Sequence, residues 1–204
     1  MKKYILTLMI AGLGLAINAA PPVKTAGETS YSVDAKTSTF KWHATKVTGE
    51  HYGVATFSTG TVQTNGKALV GGEINIDMTT IDATDLTGEY HDKLVGHLKS
   101  DDFFSVAKFN TATIKVKTAK AMKADKAGNN YTITADLTIK GITKEVTFPA
   151  IVVVNDKQVI VNANFDIDRT KYDIRYGSKS FFEGIGDKAI SDLFNVKVRL
   201  VATK

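Results

Sequence analysis

The chain has 204 residues, of which 43% are hydrophobic and 23% charged, and its formal net charge is +5 at pH 7. Because the sequence contains no cysteine, it excludes thiol catalysis, thiolate zinc sites, iron–sulfur clusters and a disulfide framework. The positive charge is spread thinly: the lysines between Lys115 and Lys126 lack the interleaved aromatic residues of a nucleic-acid groove. We therefore expect a single domain with no nucleic-acid partner.

The first residues differ from the rest of the chain. Lys2 and Lys3 precede an apolar run from Tyr4 to Ile17, and small residues follow from Ala19 onwards. This order of charge, apolar stretch and small residues is typical of a secretory signal peptide. The apolar run has about fourteen residues, whereas a membrane-spanning helix needs about twenty. The sequence therefore predicts export to the periplasm and a signal peptide over residues 1–19, with an uncleaved N-terminal anchor as the alternative.

The next segment, residues 20–30, is small, polar and proline-bearing (PPVKTAGETS from Pro21). This composition predicts a short disordered leader. Loss of the signal peptide removes two lysines and no acidic residue, so the formal charge falls from +5 to +3. Residues 31–204 remain as one folded domain.

Most of this domain alternates apolar and polar residues with a period of two, which is typical of strands with one buried face. About eight segments show the pattern, mostly in adjacent pairs. Their apolar members are Phe40 and Trp42; Val54 to Val62; Ile74, Ile76 and Met78; Ile114 to Val116; Tyr131, Ile133, Ala135, Leu137 and Ile139; Val146 and Phe148; Val159, Val161, Ala163, Phe165 and Ile167; and Phe194, Val196, Val198, Leu200 and Ala202. Strands linked without intervening helices predict an all-β antiparallel fold, either a sandwich or an up-and-down barrel.

One segment departs from the period of two. Leu86, Tyr90, Leu94 and Leu98 are spaced by four residues. Side chains with this spacing share one face of a helix. We therefore predict a short amphipathic helix over Asp85–Lys99, packed beside the sheet.

Four short motifs follow one another between Tyr31 and the C-terminus. They are Tyr31–Asp34 (YSVD) with Ser38 and Trp42–Gly49 (WHATKVTG), His97–Phe104 (HLKSDDFF), Leu137–Lys144 (LTIKGITK), and Asp168–Thr170 (DRT) with Ile190–Asp192 (ISD). In this order they resemble the YceI family of bacterial periplasmic, lipocalin-like proteins, whose patterns include HLxSxDFF and LTxxGxTK. The chain departs from the family at Asn110, where proline is usual, and in a longer loop from Arg169 to Asp192.

The resemblance implies an eight-stranded antiparallel lipocalin-like barrel around an elongated apolar channel. It also implies a periplasmic binding or carrier protein for a polyisoprenoid lipid, either a quinone or a polyprenyl phosphate, without a cofactor. Transient contact with a membrane is compatible with such a partner. The alternative function is a stress-related envelope protein whose packed barrel acts through protein contacts. The oligomeric state stays open.

The alternation also predicts which residues point into the barrel, because successive side chains of a strand lie on opposite faces. The predicted ligand-binding wall consists of Phe40, Trp42, Phe57, Ile74, Ile76, Met78, Ile133, Leu137, Phe148, Phe165 and Phe194. The same residues would serve equally well in a solid core. A cavity and a packed interior therefore remain alternatives.

The segment from Arg169 to Phe182 combines basic with aromatic residues. Aromatic rings there would hold a lipid near its exit, and an arginine would bind a phosphate head group through two parallel hydrogen bonds. The alternative is a solvated loop whose rings cap the barrel. The predicted mouth consists of Arg169, Tyr172, Arg175, Tyr176 and Phe181.

No catalytic residue and no metal ligand are predicted. The sequence has no Gly-x-Ser-x-Gly elbow, phosphate loop or dinucleotide fingerprint, and its histidines lack the i, i+4 spacing of a zinc helix. His97 is expected to order its corner of the fold by hydrogen bonding, and Asp101 and Asp102 to cap and turn the chain. The sequence thus predicts a binding protein and not an enzyme.

Overall fold

A computed structural model describes residues 27–204, which form strands and a single α-helix joined by turns and loops. The helix α1 (Gly88–Lys99) lies between the fourth and fifth strands, and the loop before the last strand contains two short 3-10 turns. The nine strands of this region are β1 (Glu28–Val33), β2 (Thr39–Lys46), β3 (Gly49–Asn65), β4 (Ala68–Ala83), β5 (Thr111–Ala121), β6 (Tyr131–Ile139), β7 (Ile142–Val154), β8 (Gln158–Asp168) and β9 (Ile190–Thr203).

The strands close into an antiparallel barrel. Each strand from β2 to β9 pairs with the next along the chain, and β9 pairs back with β2. Strands β1 and β2 share one position in the barrel and are separated by a break. Strand β1 pairs with the C-terminal part of β3 and with the last residues of β9. The barrel therefore has eight strand positions, one of them shared by β1 and β2. The predicted eight-stranded barrel is confirmed, and the sandwich alternative is wrong.

The start of β1 differs from the sequence prediction. The leader was predicted to be disordered over residues 20–30, but β1 begins at Glu28, and Glu28 and Thr29 pair with Asn65 and Thr64. Backbone pairing along the free edge of β3 outweighs the polar composition of this segment. The predicted signal peptide and the remainder of the leader lie outside the described residues.

Helix α1 packs beside the barrel through part of its predicted apolar face. Leu98 is buried and Leu94 is half-buried against the core. Tyr90 was predicted on the same face but is 75% exposed. Within residues 27–204, no helix combines the length and hydropathy that a membrane span requires.

The helix begins three residues later than predicted because Asp85 has a different role. The Asp85 carboxylate accepts a hydrogen bond from the Tyr52 backbone N–H (3.0 Å) and lies 2.8 Å from His51 Nδ1. These contacts hold Asp85 in the bend that follows β4, against β3. They lower the pKa of Asp85, although its partial burial acts in the opposite direction.

The LTIKGITK motif forms the hairpin between β6 and β7. Its two-residue turn places Lys140 at φ 51° and Gly141 at φ 71°, with Ile139 and Ile142 paired across its base. Positive φ at both turn residues matches the right-handed twist of the strands. Because only glycine adopts this region freely, Gly141 fixes the register of the hairpin and hence the inward direction of Leu137.

The two ends of the barrel differ in how they are covered. The β2–β3 turn, helix α1, the β6–β7 turn and the β8–β9 loop all lie at one end, termed the open end. The β3–β4, β5–β6 and β7–β8 connections lie at the opposite, closed end. There the buried tyrosines Tyr31 and Tyr131 fill the interior: the Tyr31 hydroxyl donates to the Asn155 carbonyl (3.2 Å), and the Tyr131 hydroxyl accepts from the Leu69 N–H (3.4 Å).

The barrel wall depends on a missing side chain at Gly53. The Trp42 indole lies over this residue and donates from Nε1 to the Asp82 carbonyl oxygen (3.2 Å). A Cβ atom at position 53 would lie 2.3 Å from two ring carbons of Trp42 and 1.9 Å from that carbonyl oxygen. Trp42 therefore fits the wall only because residue 53 is glycine.

We expect Gly53→Ala to lower the free energy of unfolding by about 1–3 kcal/mol, the usual cost of overpacking. The fluorescence of Trp42, the single tryptophan of the chain, should shift to the red as the indole leaves its contacts. Urea denaturation followed by this fluorescence measures both effects. The control is Gly96→Ala on α1, where an added Cβ meets nothing within 4 Å. Equal stability of the two variants would contradict the prediction.

Candidate ligand-binding site

The barrel interior contains two apolar cavities in line along its axis. The first, of about 130 Å³, reaches the open end, and the second, of about 60 Å³, lies towards the closed end. A single water molecule occupies about 10–15 Å³ of such space, so the first cavity has room for roughly ten water-sized groups. The residues that line both cavities, and so form a waist between them, are Phe40, Ile76, Ile114 and Phe165.

All eleven residues of the predicted wall line these cavities. Strand alternation is sufficient to orient them, because each lies on the inner face of its strand. That they contact a ligand stays a prediction. The first cavity is lined by Trp42, Met78, Leu137 and Phe194, the second by Phe57, Ile74, Ile133 and Phe148, and both by Phe40, Ile76 and Phe165.

The space in the first cavity arises from small residues that the sequence analysis missed. Ala44, Ala55 and Ala112 point inwards from three different strands. Each replaces a side chain that would otherwise fill the axis of a narrow eight-stranded barrel. The sequence signal for this cavity was an alanine at a position where strand alternation predicts an inward side chain. The interior is therefore not filled by its own side chains.

Two aromatic pairs support the waist. The rings of Phe40 and Phe57 meet edge to face, with centroids 6.1 Å apart. The rings of Phe148 and Phe165 stack in parallel, with centroids 4.1 Å apart. Pairs of this kind contribute about 0.5–1.5 kcal/mol beyond their buried area. The waist is thus held by aromatic contacts that a passing ligand would have to displace.

The polar residues that line the first cavity all lie at its open end. They come from the β2–β3 hairpin, helix α1 and both flanks of the β8–β9 loop. A tail in the cavity would therefore meet apolar groups along its length and polar groups where it emerges. These rim residues are Thr45, Lys46, His51, His97, Arg169 and Ser191.

Arg169 borders the cavity as predicted, but its guanidinium is occupied by the protein backbone. Nε donates to the carbonyl oxygen of Ser191 (2.9 Å), and the terminal nitrogens donate to those of Ile174 (2.8 Å) and Ile190 (3.1 Å). The side chain is buried, and burial lowers its pKa. Arg169 therefore holds both flanks of the β8–β9 loop together and presents no free fork to a phosphate group.

The other four residues of the predicted mouth do not line either cavity. Tyr172 is fully buried beneath the loop, and burial raises the pKa of its hydroxyl to about 12. Arg175 pairs with Asp173 (2.7 Å) and lies over the ring of Phe181 (4.8 Å) on the outer surface. Tyr176 packs on helix α1. The loop folds across the end of the barrel, so its aromatic residues lie beside the opening and not inside it.

His97 orders its corner of the fold through aromatic packing of its ring and through hydrogen bonds that its backbone carbonyl accepts. The imidazole meets Tyr176 and Phe103 edge to face, with centroids 4.3 and 5.2 Å away. Its backbone carbonyl accepts hydrogen bonds from the N–H and the hydroxyl of Ser100, which end the helix. Asp101 lies in the following turn and pairs with Lys108 (2.8 Å). His97 thereby joins α1 to the β8–β9 loop.

The start of helix α1 is tied to β4 by a histidine. His91 Nε2 lies 2.7 Å from Asp82 Oδ1, and Nδ1 lies 2.9 Å from Asp92 Oδ1. Hydrogen bonds that the protonated His91 ring donates to the carboxylates of Asp92 and Asp82 raise the pKa of His91. This contact therefore stabilises the protein fully below the ordinary histidine pKa of about 6.5 and is lost as the pH rises through the raised value. Across residues 27–204, no three histidine, aspartate or glutamate side chains lie close enough together to hold a metal ion.

These features define a class of protein: a closed lipocalin-like β-barrel with an apolar interior that opens at one polar end, which is the fold of a binding protein. The chain belongs to the YceI family, since the model of the YceI-like domain matches residues 31–202. The resemblance seen in the four sequence motifs is thereby confirmed.

Curated relatives match parts of the chain. It is 37% identical over 78 residues to the UPF0312 protein of Shewanella denitrificans, covering 38% of this chain and 36% of that protein. It is 34% identical over 99 residues to the protein YceI of Escherichia coli O157:H7, covering 48% and 47%. The chain thus aligns with less than half the length of either relative.

Solved structures share the fold over most of the chain. Burkholderia cenocepacia BcnA is 23% identical, covers 84% of this chain and 99% of its own, and superposes with a TM-score of 0.65. A polyisoprenoid binding domain from Saccharophagus degradans, implicated in plant cell wall breakdown, is 20% identical, covers 85% and 97%, and has a TM-score of 0.63. Both establish the barrel architecture.

Proposed function

We propose that this protein binds and carries a long isoprenoid-type lipid, with the tail in the barrel and the head group at the open end. The observation that carries the proposal is the pair of apolar cavities that end in a polar rim. The polyisoprenoid-binding domain that shares the fold supports the ligand class. The predicted signal peptide supports a periplasmic location, and transient contact with a membrane would supply the lipid.

The energetics favour a tail that occupies both cavities. About ten carbon groups in the first cavity contribute roughly 8 kcal/mol at 0.8 kcal/mol each. Association and ordering cost on the order of 4–15 kcal/mol, so the first cavity alone gives weak binding. A tail that also enters the second cavity gains several further groups. We therefore expect the ligand to pass the waist, with Phe40 and Phe165 turning aside as it enters.

The polar rim favours a neutral head group over a phosphate. Both arginines predicted to bind phosphate are engaged, Arg169 with backbone carbonyls and Arg175 with Asp173. Lys46 remains as a rim cation without an ion pair among residues 27–204. A quinone needs only hydrogen-bond donors at this position. Of the two ligands implied by the resemblance, the quinone therefore fits better.

The competing function, protein contacts made by a packed barrel, is less well supported. In a packed barrel, larger side chains would occupy the inward positions that alanines hold on three strands. The alanines leave this space unfilled. A catalytic role is also disfavoured, because none of the polar rim side chains forms a nucleophile–base pair with another. Binding without chemistry is the function that the cavity supports best.

Lipid extraction from the mature protein tests the proposal. Purified from its native host and analysed by mass spectrometry, the wild type should release a prenyl lipid whose head group identifies it. We expect Leu137→Phe, which fills part of the first cavity, to reduce the extracted lipid several-fold with the melting temperature nearly unchanged. A large fall in melting temperature would indicate a close-packed core. No prenyl lipid in the wild type would defeat the proposal.

A further inference from the structure

Exposed apolar side chains are concentrated at the open end of the barrel. Folded proteins commonly expose single apolar residues, so the number of such residues is not informative by itself. Their distribution over the surface is informative. Among the large apolar residues exposed within residues 27–204, those at the open end outnumber those at the closed end. The open end carries Val47, Tyr52, Tyr90, Phe109, Tyr176, Phe181, Phe182 and Leu193, and the closed end carries Val70, Met122 and Val153.

Three segments of the open end join into one continuous rim around the cavity. The Val47 N–H in the β2–β3 turn donates to the Ala189 carbonyl in the β8–β9 loop (3.1 Å). Tyr176 in that loop packs on His97 of helix α1. His97 also lines the first cavity. A tail that leaves the cavity therefore emerges directly among these exposed apolar side chains.

The exposed residues come from different segments, and both cations and carboxylates lie beside them. Lys46 precedes Val47, whereas Asp101, Asp102 and Asp173 line the same surface pocket as Phe182. Val47 lies at a turn tip, and Phe181 and Phe182 lie on a loop that also carries Lys179. Within the described part of the chain, Lys179 and Lys188 form no ion pair, while Glu183 and Asp187 lie nearby and limit the net charge. Aromatic and aliphatic tips with adjacent lysines are typical of side chains that enter a bilayer interface.

We infer that the open end docks on the surface of a lipid bilayer and inserts its exposed side chains between the head groups. The inference rests on the proposed lipid-carrier function and adds the surface through which the lipid enters. Docking in this orientation places the cavity opening against the bilayer, so that an apolar tail moves between them without crossing water. Because acidic residues offset the lysines, insertion of apolar groups carries the binding, and anionic lipids strengthen it only modestly.

Vesicle sedimentation tests this orientation. The mature protein is mixed with vesicles of phosphatidylethanolamine and phosphatidylglycerol, or of phosphatidylcholine alone. We expect the open-end pair Val47→Ser and Phe182→Ser to weaken vesicle binding about tenfold. The matched closed-end pair Met122→Ser and Val153→Ser should bind like the wild type. Val153 and Phe182 are equally exposed, at 49%, so the pairs differ mainly in position.

Two further readouts separate the possible failures. After long incubation with excess lipid, the open-end variant should contain as much lipid as the wild type, since neither Val47 nor Phe182 lines the barrel cavities, but it should load more slowly. If the wild type contained lipid but did not bind vesicles, docking alone would be overturned. If the wild type bound vesicles but contained no lipid, the carrier function alone would be overturned. Equal loss in both variant pairs would overturn the orientation. If sedimentation equilibrium showed a wild-type dimer that was lost only in the open-end variant, the partner of the open end would be a second copy of this chain and not a bilayer.

Discussion

Leu137→Asp should abolish lipid binding and lower the free energy of unfolding by about 3–5 kcal/mol, the cost of an uncompensated buried charge. Leu137 is 2% exposed and lies on the inner face of β6, on the wall of the first cavity. A carboxylate at this position would lie among the apolar residues that line the cavity, whereas Lys144, its partner opposite on β7, is exposed to solvent. Lipid extraction and urea denaturation measure the two effects.

The matched control is Thr138→Asp, one residue further along β6. Thr138 lies on the outer face, where its hydroxyl meets that of Thr143 (2.8 Å). A carboxylate there stays hydrated, so we expect a change of less than about 1 kcal/mol and normal lipid content. If both variants lost lipid and stability equally, the inward and outward assignment of β6 would be wrong.

The penalty of Leu137→Asp should also depend on pH. Burial raises the pKa of a carboxyl group because its charged form loses hydration. The folded variant would then bind its proton more firmly than the unfolded chain does. Destabilisation is therefore smallest below about pH 4, the ordinary aspartate value, and grows as the pH rises through the raised pKa. A penalty independent of pH would show that the new carboxylate reaches water.

Arg169→Met is expected to lower the free energy of unfolding by about 3–5 kcal/mol. The substitution removes three hydrogen bonds to backbone carbonyls and leaves those carbonyls unpaired beneath the β8–β9 loop. It also removes the guanidinium that lies 3.5 Å from Asp192. Arg169→Lys should recover little stability, because one ammonium group cannot reach three carbonyls in different directions. Urea denaturation gives these values.

Arg175→Met provides the comparison for Arg169. Arg175 is exposed and pairs only at the surface, where ion pairs contribute about 0–1 kcal/mol. We expect a small loss of stability and no loss of extracted lipid. If Arg175→Met removed the lipid while Arg169→Met left stability unchanged, the phosphate-binding mouth predicted from the sequence would be restored.

Strand alternation alone determined much of the molecule. On most strands the inward positions follow from a period of two, which is why the strand pattern predicted that all eleven wall residues face the interior. In β3 a bulge shifts the phase, so that the next buried residue after Phe57 is Val62. The apolar face of α1 was predicted in part, since Leu94 and Leu98 pack against the core while Tyr90 is exposed. These features depend on neighbours along the chain, and a sequence displays such neighbours directly.

Tertiary structure decided the features that depend on residues far apart in sequence. Pairing of β9 with β2 closes the barrel, and β1 becomes a strand only because β3 offers it an unpaired edge. Arg169 resembled a phosphate ligand by its type, yet carbonyls of Ile190 and Ser191 meet it across the loop. The cavity exists because Ala44, Ala55 and Ala112 face the same axis. Strand pattern thus predicted which residues point inwards, but the space between them depends on which side chains meet after the barrel closes.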